Sequence, residues 1–446
     1  MSRTKRVFHV GLIVLPAAAL FVLLLFGASS LGKIIHSSKA EAAQSDGAKE
    51  GADDGPVNPM PAEVMAAMDI EKAGIEGGRL VQTLEDGTKI TYTLKSKLQK
   101  RAEAVLEKSG VLAGALVLLD VETGEVLAMA EHRGSEYTET AAPIYLSALP
   151  PAASLFKIVT ATALLEKKAA DARTEVCYHG GLRKLDQSDL EDNPERDQTC
   201  ASLGLAVGKS LNTVFAKLAD RSLTASELES AGKRYGFGEQ IPLHYAMQPQ
   251  VSRMDIPSER LEFARAAAGF WHVTISPLHA AMLAQGVAAG GKMLAPTVVE
   301  RIEDARGEPL WTPIPMEWMQ CAREADTEQL RDMMIETVAR GTAKKHFEDH
   351  AGRPFIPGIE IAGKTGSLAQ KSPYRFYSWF IGFAPADEPK VAVASLAVNG
   401  QAWKMKGGML AMELLRTYFW KPKSKNKPEA DSNELVGPPA PPPPSD

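Results

Sequence analysis

Ser154 and Lys157 stand three residues apart at the head of an apolar run that continues through Val159, Leu164 and Leu165. Residues three apart on a helix share a face, so the lysine amine can reach the serine hydroxyl. Serine is a weak nucleophile at neutral pH and needs a base. A lysine serves as one only where burial and neighbouring cations lower its pKa. A helix N-terminus at the same place adds amide donors for a developing oxyanion. Further on, Ser210-Leu211-Asn212 precedes the helix-like run 213–219. Its hydroxyl can pass a proton to a leaving amine and its carboxamide can hold a peptide amide. Both residue types are equally at home as helix N-caps. A third group, Lys364-Thr365-Gly366-Ser367, ends the strand-like stretch 359–363. Glycines on both sides of Lys364-Thr365 let another backbone or a ligand approach closely. An ammonium beside a hydroxyl suits a carboxylate, and a strand edge takes a peptide in extended form. The upstream glycine spacing of a phosphate loop is absent.

The elements that must position these groups follow from periodicity. Residues 94–109 carry Leu94, Leu98, Ala102, Val105 and Leu106 at helical spacing. Residues 114–121 and 125–130 read as two strands around the turn Glu122-Thr123-Gly124. The middle, 153–340, is mostly helical by period and broken by Gly- and Pro-rich loops. Residues 358–368, 378–383 and 390–398 read as three strands, and 405–418 as a closing helix. Strands at both ends of a helical middle predict an α+β protein whose sheet is assembled from both ends of the chain.

Composition narrows the class. The chain has 446 residues, 45% apolar and 24% charged, which excludes wholesale disorder. A net charge of −5 leaves no basic field, so no nucleic acid is expected as partner. Three cysteines are too few for a disulfide scaffold or a Cys-based zinc module, and no repeat recurs. Arg3, Lys5 and Arg6 precede an uncharged run over 10–32, whose apolar part 10–28 spans about 28 Å as a helix. The expectation is a cytoplasmic stub and transmembrane anchor over 1–36 with everything after it exported; a signal peptide cut near Gly27-Ala28-Ser29 is the rival. Residues 37–75 read as a flexible tether, 76–420 as the folded body and 421–446 as a Pro-rich tail.

Taken together, Ser154-x-x-Lys157, Ser210-x-Asn212 and Lys364-Thr365-Gly366, in that order and with the third on a strand, resemble the penicillin-recognising serine acyltransferase family. Leu98-Gln99, 120–130, Ile275-Ser276-Pro277-Leu278, Gly341-Thr342 and 379–385 are similar to its transpeptidase domains, and the resemblance covers about 80–420. It implies a five-stranded antiparallel sheet flanked by helices plus a mostly helical subdomain. It also implies a peptidoglycan D,D-transpeptidase that acylates Ser154 from D-Ala-D-Ala stem peptides and binds penicillin. Lys157 would take the serine proton and Ser210, with Lys364, would relay one to the leaving amine. Asn212 would hold the stem peptide, and Thr365 with Lys364 would receive its terminal carboxylate, beside Gly366. Backbone N–H groups of Ser154 and Ser367 would form the oxyanion hole. No metal or cofactor is implied; the implied partners are stem peptides, β-lactams, the inner membrane and cell-wall synthesis proteins.

The chain looks most like the class B-type members but without their N-terminal pedestal, since only about 50 residues separate the anchor from the first domain helix. Transfer to water would make it a D,D-carboxypeptidase. A class D-like β-lactamase shares two of the motifs but usually has Ser-x-Val where this chain has Ser210-Leu211-Asn212. A class A-like enzyme needs a deacylating Glu that is not apparent. A non-catalytic sensing module is favoured only by the tail. The stretch 266–274 also departs from the Gly-Gln-Gly-type approach expected before Ile275-Ser276-Pro277.

Cys177 and Cys200 flank the insertion between the first two motifs. In an exported compartment they are expected to pair, worth about 3 kcal/mol, with two buried thiols as the alternative. Cys321 is left over and buried. His346 and His350 have metal-like spacing but no third histidine nearby, and read as solvated surface. Trp271, Trp379 and Trp420 are expected to pack the core or line a cleft.

Overall fold

The computed structural model describes residues 60–181, 184–403 and 405–420. The expected anchor (1–36) and Pro-rich tail (421–446) lie outside the described residues, as does the tether up to residue 59.

The N-terminal part runs α1 (Ala62–Ala67), β1 (Gly74–Glu76), β2 (Arg79–Thr83), β3 (Lys89–Lys95), α2 (Ser96–Lys108), β4 (Ala113–Asp120) and β5 (Val126–Arg133). The middle holds α3 (Lys157–Glu166), β6 (Glu175–Tyr178), β7 (Thr199–Ser202), α4 (Leu203–Lys209), α5 (Asn212–Ser222), α6 (Ala225–Arg234), β8 (Arg253–Met254), α7 (Arg260–Ala267), β9 (Val273–Thr274) and α8 (Pro277–Ala288). Then come β10 (Lys292–Leu294), β11 (Val299–Glu303), β12 (Pro309–Trp311), β13 (Glu317–Gln320), α9 (Glu324–Ala339) and α10 (Lys344–Phe347). The C-terminal part is β14 (Ala362–Lys371), β15 (Tyr374–Ala384), β16 (Val391–Asn399) and α11 (Gly407–Phe419).

The main sheet is antiparallel with order β14-β15-β16-β4-β5, so the N-terminal hairpin completes a sheet begun by the last three strands. Its strands read as nearly unbroken apolar runs because both faces are covered. Alternation then sorts the side chains. Val117, Trp379, Ile381 and Leu396 join the core shared with the helical lobe, while Leu116, Leu118, Phe380 and Val393 pack with Leu106, Leu410 and Leu414 of α2 and α11. Helix α8 lies against the first face and is buried on all sides from Pro277 to Val287, which explains its lack of an amphipathic period. Asp120 closes the β4–β5 turn by accepting from the N–H groups of Glu122 and Thr123, with Gly124 at φ +73°.

The two edges of this sheet differ. On β5, the Gln99 carboxamide brackets Met129, accepting from its N–H at 2.9 Å and donating to its carbonyl at 3.0 Å. Val126 N–H donates to the Thr297 carbonyl on the same edge. The outer edge of β14 has no strand beside it among the described residues. That is where an incoming extended chain can add.

Two expectations need correcting. The tether ends before residue 76, because α1, a short turn and β1 already belong to the fold, and Met60, Val64 and Met68 are buried in its core. Residues 292–320, expected within a mostly helical middle, are strands. β11 and β12 join β3, β2 and β1 in a second sheet, and β10 pairs with β13. The register shift between Val299 and Arg301 breaks the two-residue alternation that would have marked β11.

Candidate active site

The chain enters the site through Pro150–Ala152, which is pinned on two sides. Ala152 N–H donates to the Val273 carbonyl, Ile275 N–H to that of Pro150, and the buried Trp379 indole N–H to that of Pro151 at 2.9 Å. A single 3-10 turn, Ala153–Phe156, then leads into α3. Leu155, Phe156 and every residue of α3 up to Leu165 are buried, leaving Ser154 as the part of the turn that faces the opening. Gly269 makes this turn possible. A Cβ there would stand 2.4 Å from the Ala153 carbonyl oxygen and 2.9 Å from the Ser154 Cα. This is the local reason the stretch 266–274 carries a glycine.

Lys157 has no exposed surface, and its Nζ has three partners: Ser154 Oγ at 2.8 Å, Asn212 Oδ1 at 2.9 Å and the Ala268 carbonyl at 2.5 Å. Two of these can only accept, and a neutral amine has two N–H bonds to give them. Its lone pair then faces the one partner able to donate, the Ser154 hydroxyl. Burial holds the Lys157 pKa well below the usual lysine value, and the nearby Lys364 lowers it further. The lowered pKa favours the neutral amine, and in that form the geometry leaves its lone pair for Ser154.

Helices α4 and α5 are short because the chain reverses between them. Ser210 takes φ +56° as the C-cap of α4, and the N-cap position of α5 is Leu211, so Ser210 is not an N-cap. The reversal aims the Ser210 hydroxyl at Lys364, whose Nζ donates to it at 2.9 Å and to the Thr365 carbonyl at 2.8 Å. Asn212, the first residue of α5, turns the other way. Its Oδ1 meets Lys157 and its Nδ2 donates to the Gly181 carbonyl at 3.0 Å. Lys364 is also fully buried, and burial lowers its pKa to about 7.

Lys364 and Gly366 pair with Ile381 and Trp379 of β15, on the sheet face that meets the helical lobe. The Thr365 hydroxyl lies 2.5 Å from that of Thr342, and Ser367 is exposed on β14. The structure thus brings Ser154, Lys157 and Asn212 into one bonded group and Ser210, Lys364 and Thr365 into a second, coupled through the two amines. Gly366 and Ser367 follow on the same strand, β14, and contribute no side-chain bond to either group.

Cys177 and Cys200 face each other across β6 and β7 and form a disulfide. It sits at the base of the segment carrying Gly181. Lys217, fully buried on α5, braces that segment by donating to the Cys177 carbonyl at 3.1 Å and to Asp197 at 3.0 Å. Among the described residues no His, Cys, Asp and Glu side chains group to hold a metal. His346 is not solvated as expected. It is half-buried with its ring against Gly408, and burial lowers its pKa to about 4. Trp379 is core, whereas Trp271 and Trp420 are 47% and 56% exposed. Sequence reasoning had no means of finding the Ala268 and Gly181 carbonyls, since every residue has one. It noted Thr342 without a role, and missed the Phe215 ring 5.6 Å from the Lys157 amine.

Comparison with known proteins shows what the chain is similar to. Residues 114–419 match the family described as penicillin binding protein transpeptidase domain. The chain is 25% identical over 355 residues to stage V sporulation protein D of Bacillus subtilis, covering 74% of this chain but 53% of that protein. It is 26% identical over 363 residues to the peptidoglycan D,D-transpeptidase PbpA of Mycobacterium tuberculosis, covering 74% of this chain and 71% of that one. The chain thus spans about half the length of the first relative. Among solved structures, the D,D-transpeptidase domain of a peptidoglycan glycosyltransferase from Eggerthella lenta superposes with a TM-score of 0.61 at 26% identity, covering 74% of this chain and 82% of that one.

Proposed function

The chain belongs to the penicillin binding protein transpeptidase domain family, and we propose that it is a peptidoglycan D,D-transpeptidase working through an acyl-enzyme on Ser154. The observation that carries this reading is the buried Lys157 amine, whose partners leave its lone pair for the serine hydroxyl.

Lys157 takes the Ser154 proton as Oγ attacks the carbonyl carbon of the penultimate D-alanine. The oxyanion is met by the N–H groups of Ser154 and Ser367. Ser210 hands its proton to the nitrogen of the departing D-alanine and recovers one from Lys364, 2.9 Å away. The C–N bond breaks, one D-alanine leaves, and the remaining stem is esterified to Ser154. Before cleavage the terminal carboxylate lies against Thr365 and the charged form of Lys364. An amine of a second stem then attacks the ester and gives its proton through Ser210 to the now neutral Lys364, while Lys157 returns its proton to Ser154 Oγ. A new amide cross-link forms as Ser154 is freed and both lysines are restored. Water in place of the amine gives trimming only. A β-lactam acylates Ser154 by the same first step.

Mass spectrometry of the protein with a D-Ala-D-Ala stem peptide and with a penicillin tests this reading. The expected result is an adduct on Ser154, with D-alanine release and cross-linked product when an acceptor amine is present. Normal labelling of Ser154→Ala by a fluorescent penicillin would refute it. We also propose that the folded part is exported and tethered by the apolar run 10–32. The solvent-exposed Cys177–Cys200 disulfide supports an oxidising compartment. Protease sensitivity of the folded part in spheroplasts, but not in intact inverted vesicles, is the expected outcome.

A further inference from the structure

Thr342 lies outside the three motifs and the proposed reaction gives it no part, yet it touches two of them. Its N–H donates to the Gly208 carbonyl at 3.0 Å, and its hydroxyl can donate to the same oxygen at 3.4 Å. Gly208 is two residues before Ser210. The Lys209 ammonium donates to the Arg340 carbonyl, and a Cβ on Gly341 would stand 2.2 Å from the Gly208 oxygen. Residues 340–342 are therefore laid directly on the end of α4. From there Thr342 reaches β14, its hydroxyl 2.5 Å from that of Thr365. Thr342 is exposed and Thr365 half-buried, so the pair stands at the open lip of the site.

Each hydroxyl has one proton; Thr342 can spend its own on the Gly208 oxygen at 3.4 Å or on Thr365 at 2.5 Å, and the direction of that shorter bond decides what Thr365 can offer. If Thr365 donates to Thr342, its proton is spent within the protein and an arriving carboxylate meets lone pairs. If Thr342 donates to Thr365, the Thr365 proton is free for the carboxylate, and the anion draws the whole chain into line. We propose that Thr342 is a positioning residue that donates its hydroxyl proton to Thr365, so that Thr365 presents its own to the carboxylate of the acyl donor. This rests on the acyl-transfer reading and assigns the recognised group, a carboxylate.

The test compares acylation by a fluorescent penicillin with acylation by the methyl ester of the same compound, which lacks the anion. Thr342→Val is expected to slow the acid about tenfold, the scale of one charge-assisted hydrogen bond, and to leave the ester within about twofold. Thr342→Ser is expected to restore the acid rate. In a Thr365→Val background, Thr342→Val is expected to have no further effect, because it acts through that hydroxyl. Equal slowing of acid and ester, no slowing of either, or an undiminished effect in the Thr365→Val background overturns the proposal while leaving acyl transfer intact. Absence of any adduct on the unaltered chain overturns both. Should Thr342→Val fail to fold, Thr342→Ala carries the same comparison.

Discussion

Replacing Asn212 by Asp changes one atom of the carboxamide and tests the neutral state of Lys157 directly. Asn212 Oδ1 stands 2.9 Å from Lys157 Nζ. A carboxylate oxygen at that distance attracts an ammonium by about 5–6 kcal/mol at an effective dielectric of about 20. That amounts to about 4 pKa units at 1.36 kcal/mol each. Desolvating the new carboxylate, and setting an oxygen against the Gly181 carbonyl where Nδ2 now donates at 3.0 Å, takes back part of this. The net rise cuts the share of neutral amine at neutral pH about tenfold for each unit by which the variant's pKa stands above that pH. Acylation by a fluorescent penicillin, followed by stopped flow from pH 6 to 10, is expected to fall in that proportion at pH 7. The ratio of variant to unaltered rate should then climb about tenfold per pH unit, since a raised pKa returns the neutral amine only at higher pH. Asn212→Ala adds no charge and is expected to lose less, about tenfold, with a flat ratio. If Asn212→Asp acylates like the unaltered chain, or loses rate with a flat ratio, Lys157 is not the base.

The pKa of Lys364, near 7 through burial, means that folding disfavours its charge. The unfolded chain holds that proton up to about 10.4, so this group's contribution to stability is poorest below pH 7 and improves from there toward pH 10. Lys364→Met is accordingly expected to raise the melting temperature at pH 6.5 while abolishing acylation; a lower one would count against the assignment. His279 is fully buried, and burial lowers its pKa to about 4. The unfolded chain therefore takes up this proton first, and about 3 kcal/mol is lost as pH falls from 6.5 to 4. Urea unfolding at pH 7 and pH 5 should show that slope, and His279→Met should flatten it. Removing both Cys177 and Cys200 by serine substitution is expected to lower stability by about 3 kcal/mol in the chain-entropy picture, for a bridge spanning 23 residues. Equal urea midpoints with and without the bridge would contradict this.

The strands 114–121, 378–383 and 390–398 were legible because a strand buried on both faces is a short apolar run between turn residues, and the observed ends differ by only one to four residues. Strands β1–β3 and β11–β12 were not. β1, β2, β11 and β12 are short, the first three carry Arg or Glu, and register shifts interrupt β2 and β11. β3 does alternate through Ile90, Tyr92 and Leu94, a signal lost where Leu94 is read as part of the following helix. In the site, Ser154, Lys157, Ser210, Asn212, Lys364 and Thr365 were legible through side-chain chemistry. What holds them was not: the Ala268, Gly181 and Gly208 carbonyls and the close approach at Gly269 leave no mark of residue type.

This division has a physical origin. Burial and the neighbouring Lys364 lower the Lys157 pKa, and backbone carbonyls and carboxamide oxygens satisfy its two N–H bonds without adding a charge that would undo this or a proton that would compete for the lone pair. A carboxylate at either position would recharge Lys157, and a hydroxyl could compete with Ser154 for its lone pair. Ala268 and Asn212 Oδ1 supply the two acceptors, and Gly181 keeps the Asn212 oxygen turned inward by taking its amide N–H. Displacing Gly181 should therefore act on acylation through Lys157. Gly181→Ala is a direct way to do so, because a Cβ there would stand 1.7 Å from the Thr213 hydroxyl oxygen on a backbone at φ +73°. Its acylation rate is expected to fall with a flat pH ratio, whether the Asn212 carboxamide flips, so that its Nδ2–H competes with Ser154 for the Lys157 lone pair, or merely swings away. An unchanged rate would mean that the inward turn of Asn212 does not depend on Gly181.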